Sequence, residues 1–219
     1  SLLIGIGVTL LGGALWGVNA TVSKILMSDY GADPLWIASI RQLCAGMLFL
    51  AAAGATKPKL LTGAVRDVRS YPVYLLGALI CVMATQVTYL NAIKWTNSGT
   101  ATVLQTLNLL FVLAWVCLRG RRMPGKRETL GVALAFMGTV LIATGGDLTT
   151  LTLPLAGLMW GLGDALATAT MSILPVKVMG RYGNFTVNGL MFLISGVILC
   201  AVVRPWAHAP QLDALVIGV

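Results

Sequence analysis

GALWG, from Gly13 to Gly17, and GLMWG, from Gly157 to Gly161, are one G-x-x-W-G pattern read twice, 144 residues apart. Leu11 and Leu155 keep the same offset. A second echo joins Ala45-Gly46-Met47 to Ser195-Gly196-Val197 at an offset of 150. Self-similarity at a near-constant offset is the mark of an internal repeat. Both copies of the pattern lie inside long apolar runs, so the repeated unit is built of membrane spans.

The composition around these motifs supports that. Of 219 residues, 58% are hydrophobic and 10% charged, and the mean hydropathy is +0.88. A soluble domain is about 45–50% apolar and about 25% charged. Too few polar side chains remain to cover a water-facing surface. A net charge of +8 invites a nucleic-acid partner, yet the basic residues cluster between apolar runs rather than along one soluble face. No nucleic acid is expected; the lipid bilayer is the expected partner, and a small-molecule substrate is expected for the reasons that follow. Cys44, Cys81, Cys117 and Cys200 sit singly in apolar runs. With no CxxC pair and no His cluster, neither a metal nor another cofactor is expected.

A helix needs about 20 apolar residues to cross the membrane core. Seven segments are predicted to do so, near 2–27, 35–55, 73–93, 100–118, 130–144, 153–178 and 185–203, with an eighth starting near Leu212. The first continues unbroken past Gly17 and lacks a basic leader and a cleavage site, so it reads as a span rather than a signal peptide. Alternate connections differ in charge. Lys57, Lys59, Arg66, Arg69, Arg119, Arg121, Arg122, Lys126, Arg127, Lys177 and Arg181 fall on one side, whereas Asp29, Asp33, Asp147 and Asp213 fall on the other. The positive-inside rule puts the first set, and the N-terminus, in the cytoplasm.

Five spans separate the two copies, and an odd number inverts the second. The expected architecture is all-α: a first five-helix unit over residues 1–146, and an incomplete inverted unit over 147–219. Ten helices are expected in the full protein, which would need roughly 70–80 further residues. Inverted repeats are a construction of secondary transporters, with the substrate bound near the midplane.

Polar residues inside the spans are the candidates for function. Asp164 is the one carboxylate well inside a span, about 16 Å from its start, and Asn19 lies about 12 Å from the outer end of the first. Asp164 is a candidate for proton coupling or substrate contact, or else a structural acid bonded to a neighbouring Ser, Thr or Arg. Arg41 either contacts a substrate carboxylate or pairs with Asp29 or Asp33. Lys24 is expected to snorkel outward. Gln86 and Tyr89 in the third span, and Thr102, Gln105 and Asn108 in the fourth, are spaced to share helical faces. They line a polar cavity or bond to each other between helices. Trp16 and Trp160 are candidate walls for an amphipathic ligand, with core packing the alternative.

These stretches carry a family resemblance. LWGVNATVSK (Leu15–Lys24), Ile40-Arg41, YLNAIKWTNSGTATVLQTL (Tyr89–Leu107), GVALAFMGTVLIATGG (Gly131–Gly146) and GLMWGLGDALATATMSILP (Gly157–Pro175) resemble the EamA-type branch of the drug/metabolite transporter superfamily. The resemblance implies ten helices, cytoplasmic termini and two inverted five-helix units around a central cavity. It further implies export or exchange of amino acids, other metabolites or drugs by alternating access, at the plasma membrane, which for a bacterium is the inner membrane. Two departures stand out. Asn108 occupies the place of a usual helix-four proline, which removes the ordinary cause of a kink. No acid lies in Leu118–Arg122, so a cytoplasmic ion pair of the family lacks its acid there.

An enzyme is not expected. The single histidine, His208, is in a loop, and the spans hold neither a nucleophile–base pair nor paired carboxylates. A passive channel or structural membrane subunit is the alternative, but no ring of like residues or filter loop is visible.

Overall fold

A computed structural model describes residues 2–145 and 153–206. Asp147, His208, the start of the eighth span and the boundary between the two expected units lie outside the described residues. Every described element is helical: α1 (Leu2–Ser28), α2 (Pro34–Thr56), α3 (Pro58–Arg66), a 3-10 turn at Val68–Ser70, α4 (Tyr71–Leu76), a π-helical stretch Gly77–Met83, α5 (Ala84–Trp95), α6 (Ser98–Gln105), α7 (Asn108–Gly120), α8 (Lys126–Thr144), α9 (Leu155–Ile173), α10 (Val176–Tyr182) and α11 (Asn184–Val203).

The helix boundaries follow local chemistry. Asp33 starts α2 by accepting from Leu35 N at 2.7 Å, with Pro34 in the first turn. Asn97 starts α6 by accepting from Thr100 N at 2.8 Å. Such caps satisfy amides that no helical carbonyl can reach. Gly145 ends α8 and Gly183 follows α10, both at positive φ, where a side chain would be strained.

Five helical segments are long and apolar enough to cross a membrane: Gly5–Ser28, Pro34–Thr56, Val68–Trp95, Ser98–Gly120 and Asn184–Val203. A sixth is the pair Leu155–Ile173 and Val176–Tyr182 taken as one span. The remaining expected span falls on α8, whose first turn carries Lys126, Arg127 and Glu128 and whose apolar part, from Leu130 on, is about 22 Å long.

Three expected spans also differ in shape. The sixth bends by 46° between α9 and α10, at Pro175, which has no N–H to donate and whose ring clashes with the carbonyl four residues earlier. The third passes through the π-helical stretch. The fourth tightens at Thr106 and Leu107, whose amides reach back three residues to Val103 and Leu104 at 3.1 Å. That tightening needs no proline. Thr106 Oγ1 donates to the Val103 carbonyl at 2.6 Å, a local bond of the kind that bends helices. The connection between the second and third spans holds α3.

α2 packs along α11, and α5 along α9. The first crossing is very close. A Cβ on Gly46 would lie 2.6 Å from Leu193 N, and one on Gly196 would lie 2.7 Å from Leu43 N. Small residues permit backbone approach of this kind between membrane helices. Gln42 and Ser195 are hydrogen-bonded across it, Ser195 Oγ donating to Gln42 Oε1. Phe49 stacks near Phe185 and Phe192, with ring centroids 6.0 and 5.8 Å away. Of the four cysteines, Cys81, Cys117 and Cys200 are buried, while Cys44 is exposed on α2, against the expectation that all pack as small hydrophobes.

One side of the molecule is clasped by polar contacts outside the spans. Asp67 accepts from Ser70 Oγ and Tyr182 OH, each at 2.8 Å, and lies 3.6 Å from Arg181. The hydrogen bonds from Ser70 and Tyr182 hold its carboxyl below the usual range. Arg122 donates two bonds of 2.8 Å to Glu128. Glu128 thus supplies, six residues later, the acid that Leu118–Arg122 lacks. Those bonds, with one from Gly125 N, push its carboxyl down to about 2.

Candidate functional site

Gly157 and Gly161, in the second copy of the motif, bring α9 against α5 and α6. A Cβ on Gly161 would collide with Leu104, and one on Gly157 with Thr96. Asp164, one turn beyond Gly161, is carried by the same close packing into a fully enclosed position, with 0% of its surface exposed. Its Oδ1 lies 3.4 Å from the hydroxyls of both Thr88 on α5 and Thr168 on α9. Gln105 Nε2 donates to Thr168 Oγ1 at 3.4 Å, so α6 joins the cluster. These bonds are long, and Thr88 has a nearer acceptor in the Ala84 carbonyl at 2.7 Å. Asp164 Oδ2 has no hydrogen-bond partner among the described residues. A buried carboxylate held this weakly is costly as a charge.

A second group lies between α1 and α2. Arg41, Asn19, Ser23 and Trp36 line a cleft of about 340 Å³ with apolar neighbours that include Leu15 and Ile40. Arg41 Nη1 donates to Ser23 Oγ at 3.3 Å. Neither expected carboxylate reaches it. Asp33 is occupied in capping α2, and Asp29 accepts from Ser28 Oγ at 2.7 Å. Among the described residues the ion pairs are Arg122–Glu128 and Arg181–Asp67, so Arg41 faces its cleft without a counter-charge.

Tyr89 and Thr102 are joined through their hydroxyls at 3.0 Å, and the Trp16 ring lies 5.8 Å from that of Tyr89. The expected face sharing on spans three and four is therefore used between α5 and α6. Trp160 is partly buried and packs against the apolar cluster that holds Tyr89, Leu90 and Ile93. Gln86 is buried, with no hydrogen-bond partner for its Oε1 among the described residues, and bonds to neither group. Lys24 reaches the C-terminal end of α5. It donates to the carbonyls of Ile93, Lys94 and Thr96 at 3.0, 3.3 and 2.9 Å.

Thr88, Thr168, Ser23 and Trp36 belong to these groups and were not foreseen. Thr168 had a usable signal, since it stands one helical turn after Asp164. Thr88 and Ser23 had none, because hydroxyls in spans ordinarily bond to their own helix, as both also do here. Among the described residues no three His, Cys, Asp or Glu side chains come together as a metal site.

Comparison with known proteins gives consistent results. An uncharacterized inner membrane transporter of Salmonella typhimurium, YicL, is 27% identical over 190 residues, which cover 87% of this chain and 63% of that protein. An uncharacterized transporter of Archaeoglobus fulgidus is 27% identical over 127 residues, 55% of this chain and 43% of its own. One of Methanothermobacter thermautotrophicus is 25% identical over 145 residues, 62% and 42% of the two chains. The chain thus spans less than two thirds of the length of these relatives. No solved structure matches it. The family described as EamA-like transporters matches residues 3–144, most of the apolar helices and the cleft between α1 and α2 included, and the chain belongs to the EamA-like transporter family.

Proposed function

We propose that the full protein is a secondary transporter that exports or exchanges small metabolites such as amino acids, or amphipathic drugs, by alternating access. In this reading residues 1–146 form one five-helix unit, with α8 as its fifth crossing. Residues 147–219 begin an inverted second unit, and ten helices complete the protein. The observation that carries the reading is the reciprocal crossing of α2 and α11. Gly46 meets Leu193 and Gly196 meets Leu43, and both pairs are related by the offset of 150. A reciprocal contact between equivalent residues is what a two-fold relation between units produces. Two such units rocking about a shared crossing expose a site to each side in turn.

The proposed substrate contacts are Arg41 and Asn19 in the cleft, with Trp16, Tyr89 and Thr102 beside it and Gln86, Gln105 and Trp160 deeper. Arg41, with no carboxylate partner among the described residues, is suited to a substrate carboxylate. Asp164, enclosed between α5 and α9, is suited to carrying a proton rather than touching substrate. The proposed N-terminus is cytoplasmic, a reading supported by the asymmetry of the basic loops, and the proposed membrane is an inner membrane, as the name of the Salmonella relative suggests.

The test is counterflow in proteoliposomes of the full-length protein with a pooled panel of labelled amino acids. Saturable accumulation supports a carrier, and conduction without saturation supports a channel instead. Arg41→Gln should lower accumulation of carboxylate substrates at least roughly tenfold, given the strength of a charge-assisted contact. For Asp164→Asn, the proton-coupled reading expects a reduced, pH-insensitive flux. An unchanged rate with unchanged pH dependence would remove Asp164 from the mechanism.

A further inference from the structure

Where Pro175 bends α9 away from α10, a groove of about 530 Å³ opens between that bend and the end of α7. Trp115, Ile173, Leu174 and Val176 form its apolar wall, while Arg119 and Lys177 line it directly. Trp115 and Val176 are 44% and 54% exposed, so the groove is open to an occupant from outside the chain's described residues. Arg119 lies in the last turn of the segment Ser98–Gly120, and Lys177 in the first turn of α10. Both cations are therefore at the end of an apolar helix, where the membrane core gives way to the headgroups. Trp115 is about 8 Å from that end, the depth at which indole rings collect. Neither cation has a carboxylate partner among the described residues.

We infer that this groove binds an anionic phospholipid, its phosphate held between Arg119 and Lys177 and an acyl chain laid along Trp115, Ile173 and Leu174. A zwitterionic lipid satisfies the apolar wall but brings no net charge to the two cations. A protein helix seated there would bury both cations unless it supplied an acid of its own. Each basic residue near a membrane surface favours an anionic lipid by roughly fivefold, so the pair should give a preference of roughly tenfold or more.

Native mass spectrometry of the full-length protein in neutral detergent, with dioleoyl phosphatidylglycerol against dioleoyl phosphatidylcholine, tests this. The unaltered protein should retain phosphatidylglycerol with that preference. Arg119→Gln/Lys177→Gln should bring the two lipids to near parity, whereas Lys126→Gln/Arg127→Gln, a nearby exposed basic pair, should leave the preference intact. Val176→Trp, which fills the groove from an exposed position, should weaken both lipids. Glycerol 3-phosphate should not compete, because it has no chain for the apolar wall. Equal retention of the two lipids by the unaltered protein overturns the proposal. So does an equal loss in the control pair, full retention in Val176→Trp, or effective competition by glycerol 3-phosphate. Retention of neither lipid also overturns it, and points to a further segment of the full chain as the occupant.

Discussion

Lys24 shows how much one side chain's role depends on its neighbours. A lysine near the end of an apolar run is ordinarily free to reach headgroups. Here its ammonium is spent on three carbonyls at the end of α5, which no intrahelical amide can satisfy. The positive charge also complements the negative end of the helix dipole. Lys24→Met should therefore cost about 2 kcal/mol, and Lys24→Arg less, read as the midpoint of denaturant unfolding in detergent. A snorkelling lysine would tolerate the methionine.

The same distinction separates Asp164 from Arg41. Both are ionisable groups in apolar helices, and sequence alone treats them alike. Their surroundings differ: one is sealed between α5 and α9, and the other faces a cleft. Depth along a helix can be counted from sequence, but facing depends on where the neighbouring helices stand.

At the scale of elements, the glycines fall into two kinds. Gly46 has Leu193 backbone 2.6 Å from where a Cβ would sit, whereas the nearest atom to a Cβ on Gly54 is Leu61 Cδ2 at an ordinary 3.7 Å. Gly46→Ala should thus push α2 off α11 and cost about 2 kcal/mol. Gly54→Ala, within the same helix, should be neutral or slightly stabilising because alanine favours helix. Equal thermal shifts for the two in detergent would contradict the close crossing. The α7–α8 connection offers a second prediction. With Glu128 held at about 2 by Arg122 and Gly125 N, the ion pair is fully formed at neutral pH and is lost only as pH falls toward that value. Glu128→Gln should speed tryptic cleavage after Arg121 and Arg122 at pH 7 relative to the parent, with no change at other basic loops.

At the scale of the whole molecule, the orientation of the spans can be tested directly. Alkaline phosphatase fused after Gly31 should be active and after Gly125 inactive, because the basic loops hold their side in the cytoplasm. The opposite activities would invert the topology. Membrane-spanning helices, the offsets of 144 and 150, and the charge asymmetry were all legible in the chain itself, because hydropathy, self-similarity and loop charge are properties of residues in order. Pro175 is visible in the sequence, yet the sixth span was expected to run unbroken through it to residue 178. The tightened turn at Thr106 had no such mark, since it arises from a hydroxyl competing for a local carbonyl. Tertiary structure alone decided that the two echoed segments of α2 and α11 lie against one another. It alone sealed Asp164 among threonines, left Arg41 without an acid among the described residues, and set Lys24 on the end of α5. Those outcomes depend on which helices become neighbours, and burial and pairing are relations between segments that no single stretch of sequence contains.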